Sequence, residues 1–146
     1  MSRKLHVGFK GKNNASCILV KSISADSYLL TNSFDGLKRD IESLSRSYDC
    51  VILFGIDKNL SDTVRIERVA EKDTKEFSVL NLENISAQLD AVGISNYLSD
   101  RPTHYLCNAA YWYLLRKFNG KAVLIHIPSI KNINENLMKG LKLVFG

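Results

Sequence analysis

Two runs of unbroken apolar sequence, DCVILFG at 49–55 and KAVLIHIPS at 121–129, constrain the fold of this chain more than any other feature. A strand with one wet face alternates. A short run that does not alternate and ends in Gly or Pro describes a strand covered on both faces, as in a parallel sheet. Such strands need helices above and below them. FDGLKRDIESLS, 34–45, places Leu37, Ile41 and Leu44 on one helical face with Asp35 near its start. NLENISAQLDAVG returns to helical spacing and stops at Gly93. A further helix from about Thr103 to Phe118 stops at Gly120, and NENLMKGLKLVF supplies the last one. RKLHVGF at 3–9, TVRIERVA at 63–70 and ISNYLS read as more strands. CILVK and SYLLT are short apolar stretches, and the charged segment from Glu71 to Asn81 has no firm period. Alternating strands and helices predict an α/β fold, a three-layer α/β/α sandwich around a mostly parallel mixed sheet. A length of 146 residues fits one domain, 1–146, with a sizeable core of its own.

Composition removes several functional classes. Hydrophobic residues at 45%, charged residues at 24% and two prolines describe a globular chain and not a disordered or fibrous one. Cys17, Cys50 and Cys107 are odd in number, widely spaced and without a CxxC or Cys/His cluster, so neither a disulfide framework nor a zinc site is expected. Reduced thiols in a cytoplasm follow. MSRKLHVGF lacks the apolar run of a signal peptide, and no stretch approaches the roughly 18 apolar residues of a membrane span, so neither secretion nor a membrane is expected. A net charge of +5 allows weak attraction to polyanions, but Lys and Arg are scattered, which argues against a specific nucleic-acid partner. The loop GFKGKNN has neither the P-loop nor the dinucleotide-binding spacing of glycines.

The chemistry gathers around THYLCNAAYWYLL, 103–115, which sets Cys107 in the first turn of a helix. A lone free cysteine is usually a small core residue, and Cys17 and Cys50, in or beside apolar runs, are read that way. Cys107 taken alone fits the same core reading, but the positive end of a helix also lowers a thiol pKa and favours a nucleophile, so the choice depends on what else the chain brings to it. Such a nucleophile needs a base, and His126, at the end of a buried strand before Pro128, comes from a separate element. Glu67, a carboxylate hard to place in an apolar sheet, is the candidate for orienting the imidazole. Ligands of open α/β sheets gather beyond the carboxyl ends of strands, so Glu67, His126 and Cys107 are candidates for one site. His6 is read as structural or exposed, and His104 ranks below His126 because it shares the turn of Cys107. Tyr105, Tyr111, Trp112, Tyr113 and Phe118 are read as core and rim packing and not as a stacking platform for bases.

The ordered set IERVA, S-x-x-x-x-x-Y-L-C-N and LIHIP resembles the pyroglutamyl peptidase I family, the pyrrolidone-carboxylate peptidases. KLHVGF and VILFGIDK also align, so the resemblance spans nearly the whole chain. It implies a cysteine peptidase in which Glu67, Cys107 and His126 are catalytic, and Phe9, Asn32, Ile56 and Tyr105 occupy positions of substrate contacts. The implied reaction removes an N-terminal pyroglutamyl residue through an acyl-enzyme. It needs no metal or organic cofactor, takes a peptide or N-acyl amide as substrate, and belongs to a cytosolic family whose members are often homo-oligomers.

The departures bear on specificity. GFKGKNNAS stands where the family has a loop like GFEPFGG, RPTHY stands for TAGTY, and EKDTKEF lacks the arginine-bearing polar run. The chain is shorter than typical members, with the loss between Ala70 and Ile94. Lys10, Lys12, Arg101 and His104 beside a pocket would suit an acidic or differently shaped acyl group. The alternatives to a pyroglutamyl peptidase are therefore a diverged relative that hydrolyses another N-acyl amide, or a noncatalytic small-ligand-binding protein of the same fold.

Overall fold

The structure, a computed structural model, describes residues 3–23, 26–103 and 105–146. The buried runs form the strands expected of them: β1 (Lys4–Phe9), β3 (Cys50–Ile56) and β8 (Ala122–Ile127) are the most deeply covered. With β2 (Ser27–Leu30), β4 (Thr63–Glu67) and β7 (Ser95–Ser99) they make a six-stranded sheet in the order β2-β1-β3-β8-β4-β7. Every neighbouring pair is parallel except β4 with β8, which is antiparallel.

Side-chain alternation along these strands divides the core into two layers. On one face, Leu5, Val7, Val51, Leu53, Ala122 and Leu124 pack under α2 (Phe34–Glu42) and α4 (Leu106–Lys117). On the other, Ile52, Phe54, Val64, Ile66, Val123 and Ile125 pack under α1 (Ala15–Ile23), α3 (Leu82–Ala91) and α5 (Glu135–Phe145). This is the three-layer α/β/α arrangement with a mostly parallel mixed sheet. The helices begin where polar caps allow. Ser33 accepts from the Gly36 N–H at 3.1 Å, Asn81 from Asn84 at 3.0 Å and Asn134 from Leu137 at 2.8 Å. Asn119 and Gly120, at φ 54° and 83°, take the left-handed turn that closes α4.

Two local expectations change. CILVK, read only as an apolar stretch, lies in α1, where the following turn buries Cys17, Leu19 and Val20. The strand expected over 63–70 ends at Glu67. The Arg68 N–H still bonds the Ser99 carbonyl, and the chain then leaves the sheet to form a hairpin of β5 (Val69–Glu71) and β6 (Lys75–Phe77). That hairpin occupies the charged segment without a firm period, and α4 holds it through the Trp112 indole N–H, which donates to the Thr74 carbonyl at 3.0 Å.

Candidate active site

Pairing across the sheet aligns a row of residues that are far apart in sequence. Gly55 on β3 stands opposite His126 on β8, His126 opposite Arg65 on β4, and Arg65 opposite Tyr97 on β7. The row lies on the face covered by α4, whose second residue is Cys107. Gly55 makes the junction possible. A Cβ there would sit 2.6 Å from the Cys107 sulfur and 3.3 Å from His126 Cδ2, so the absent side chain is the space in which thiol and ring edge approach. From the other edge of the ring, His126 Nδ1 lies 3.1 Å from Glu67 Oε1. Glu67 and His126 are 1% and 3% exposed, which is why the carboxylate had no place in an apolar pattern: its partner is a histidine and not solvent.

A cavity of about 440 Å³ opens on this junction and is lined by Ile56, Asp57, Lys58, Asn59, Arg65, Thr103, Tyr105, Cys107 and His126. Of the four expected substrate contacts, Ile56 and Tyr105 line it, Tyr105 being largely exposed. Phe9 is 4% exposed within the core under α2 and α4, and Asn32 donates from Nδ2 to the Lys10 carbonyl at 2.7 Å. Neither is among the lining residues. Lys10, Lys12 and Arg101 are also absent from the lining, which takes its charge from Asp57, Lys58 and Arg65 instead. His104 lies outside the described residues. A larger cavity of about 650 Å³ between α2, β6 and the end of α4 has neither cysteine nor histidine in its lining, so chemistry and not volume selects the smaller one.

The electrostatics depart from the sequence expectation in one respect. Burial pushes the Cys107 thiol up to about 11, because a thiolate there loses its water. The backbone N–H groups of Ile56 and Cys107 pull it down, as a helix start should, but Asp57 and Glu67 add negative charge on the other side of the balance. The first turn of α4 therefore does not leave an ionised thiol. A thiolate near pH 7 would need a neighbouring base to take the proton.

Asp57, Arg65 and Tyr97 are neighbours that the triad pattern did not predict. The Arg65 Nε–H donates to Glu67 Oε1, Nη1 donates to Asp57 Oδ2 at 2.8 Å, and Nη2 lies 3.2 Å from His126 Nδ1. Burial opposes the guanidinium charge, but its bonds to Glu67, Tyr97 and Asp57 outweigh burial and keep it firmly protonated. At Asp57 burial favours the acid form, and the Asn59 N–H together with Arg65 reverses this and holds the carboxyl below its usual range. A signal for Arg65 was present in TVRIERVA, because positions 65 and 67 share one face of a strand. Among the described residues, no three His, Cys, Asp or Glu side chains gather as a metal site requires. None of the helices there is long and apolar enough to cross a membrane.

No protein-family model and no curated protein matches the sequence significantly. Solved structures do match. Pyroglutamyl peptidase I from Bacillus amyloliquefaciens superposes with a TM-score of 0.82 at 17% identity, over 99% of this chain and 95% of that one. The pyrrolidone carboxyl peptidase from Thermococcus litoralis gives 0.76 at 21% identity over 99% and 91%, and that from Thermus thermophilus 0.77 at 16% over 98% and 100%. Along nearly its whole length, the chain has the fold of the pyrrolidone carboxyl peptidases.

Proposed function

We propose that the protein is a cysteine peptidase that removes an N-terminal pyroglutamyl residue from peptides, with Cys107 as nucleophile, His126 as base and Glu67 as the group that orients the ring. The observation that carries this reading is that the Cys107 sulfur and the His126 ring edge both border the space left open at Gly55, with Glu67 Oε1 on Nδ1 behind the ring. In the reaction, the thiol proton passes to His126 Nε2 as sulfur attacks the carbonyl of the pyrrolidone acyl group. The backbone N–H groups of Ile56 and Cys107, which favour negative charge at the sulfur, would donate to the oxygen that becomes negative. The imidazolium gives its proton to the departing amine, and water then releases the acyl group by the same path in reverse.

A second reading, hydrolysis of another N-acyl amide, is supported by the lining. A neutral lactam asks for apolar walls with a few amide-complementary bonds, whereas this cavity holds Asp57, Lys58 and Arg65, and Phe9 is packed away from it. The deciding experiment is hydrolysis of a fluorogenic pyroglutamyl amide by the wild type and by Cys107→Ala. Thiol-dependent turnover, lost by a factor on the order of 10⁴ or more in the variant, is the expected result. No turnover of that reporter, with thiol-dependent cleavage of other N-acyl amides, moves the assignment to the second reading. Inertness toward both favours the noncatalytic binder.

A further inference from the structure

His126 Nδ1 is approached by two groups that ask opposite things of it. Glu67 Oε1, at 3.1 Å, is a carboxylate oxygen and can only accept, so it is satisfied when Nδ1 carries the proton. Arg65 Nη2, at 3.2 Å, can only donate, so it is satisfied when Nδ1 offers its lone pair. A neutral imidazole has one N–H and cannot serve both. Two further facts weight the balance. Arg65 is fixed from both sides, by Asp57 through Nη1 and by Glu67 through Nε, with Tyr97 beside it on β7. Glu67 Oε1 already has a donor in that Nε–H, while its Oε2 is buried without a partner.

We infer that Arg65 is a positioning residue that stores His126 as the Nε2–H tautomer, so that the resting site cannot take the proton of Cys107. This rests on the reading of His126 as the base for Cys107. With the proton on Nε2, the ring edge toward Gly55 and the thiol has no lone pair to accept S–H. Competence requires the ring to lose the Nε2 proton and gain one at Nδ1, through water, with no change in net charge. Glu67 then accepts from Nδ1–H, and Nη2 must move off because two donors would face each other. The guanidinium also opposes the imidazolium that follows proton transfer. The groups around His126 are thus Asp57 just after β3, Arg65 and Glu67 on β4 and Cys107 on α4, with Tyr97 on β7 reaching Arg65. A ligand entering the cavity meets the Asp57–Arg65 pair at its wall, where an acceptor on the ligand can compete for the guanidinium. The site is latent in its free form and is released by occupancy.

The test reads the tautomer directly and needs no substrate. Long-range ¹H–¹⁵N spectra of the uniformly labelled wild type at pH 7.5, with the His126 signals assigned by comparison with His126→Gln, are expected to show a protonated Nε2 and a bare Nδ1. Arg65→Met, which keeps the length of the side chain and removes its donors, is expected to move the proton to Nδ1. It is also expected to raise the rate of Cys107 alkylation by iodoacetamide about a hundredfold, the low end of what a general base supplies. Arg65→Lys, a cation without the planar fork, should fall between. A wild-type His126 with the proton on Nδ1 overturns the inference, whether or not Arg65→Met folds. An unchanged tautomer in a folded Arg65→Met overturns it too. The failure of every peptidase assay would remove the proposed reaction but leave the tautomer result standing.

Discussion

At the scale of single residues, the site depends on what is missing at position 55 as much as on what is present at 67, 107 and 126. A methyl group at Gly55 would overlap the Cys107 sulfur, which has a backbone on one side and a histidine on the other. Gly55→Ala is therefore expected to cost about 1–3 kcal/mol, the usual range for overpacking, and to displace the thiol from the ring. Thermal unfolding and the alkylation rate of Cys107 check this. The stability cost should shrink when Cys107→Ala removes the sulfur, because the two side chains compete for one space. That Cys107, His126 and Glu67 belong to one region was legible from residue types and their order in the chain. Of their charged neighbours, only the shared strand face of Arg65 and Glu67 was legible. Arg65 reaches His126 only because β4 runs against β8, a pairing that no local pattern in either segment encodes.

At the scale of elements, α4 both presents the thiol and anchors the hairpin that follows Glu67. Asn108, next to Cys107, donates from Nδ2 to the Glu71 carbonyl at 2.7 Å and accepts from the Glu71 N–H at 3.0 Å, completing a strand-like pair with a side chain. Asn108→Leu fills the volume but leaves both backbone groups of Glu71 unpaired. It is expected to lower stability by about 1–3 kcal/mol, read by urea unfolding, and to speed hydrogen exchange at the Glu71 amide. The hairpin was illegible in EKDTKEF because its stability comes from α4 and not from its own alternation. Each of its strands has three residues, and what fixes them is Asn108, the Trp112 indole and the burial of Ala70 under α4. By contrast α2, α3 and α5 were plain in the sequence, because periodicity and caps are local properties.

At the scale of the whole molecule, His6 joins the sheet to the last helix. Its Nε2 lies 2.8 Å from the Phe145 carbonyl at the end of α5, and its Nδ1 is buried without a partner. Burial pushes the imidazole below its ordinary value of 6.5. The Phe145 carbonyl opposes this, and Lys4 adds to it. A base whose folded value is depressed binds fewer protons than it does in the unfolded chain. Its contribution to stability is full above about 6.5 and is lost as pH falls through the folded value. Urea unfolding between pH 7.5 and pH 5 is expected to show a larger loss of stability for the wild type than for His6→Gln. Equal losses would show that acid does not act through His6. The overall layering was legible because the unbroken apolar runs demand cover on both faces, and the strand order was not, because it depends on contacts between distant segments.

The position of β8 has a consequence for how such a chain assembles its candidate site. It enters the middle of the sheet, between β3 and β4, although it is the last strand in sequence. Until it arrives, β4 and β7 form a pair detached from the β2-β1-β3 group, Glu67 has no histidine to meet, and the edge of β3 is open to the wrong strand. Contacts of such long sequence separation form late in folding. The meeting of Cys107, His126 and Glu67 is thus absent from every partly folded form that lacks its central strand, and the thiol of a nascent chain has no imidazole beside it. The site is assembled only by the last strand to join the sheet.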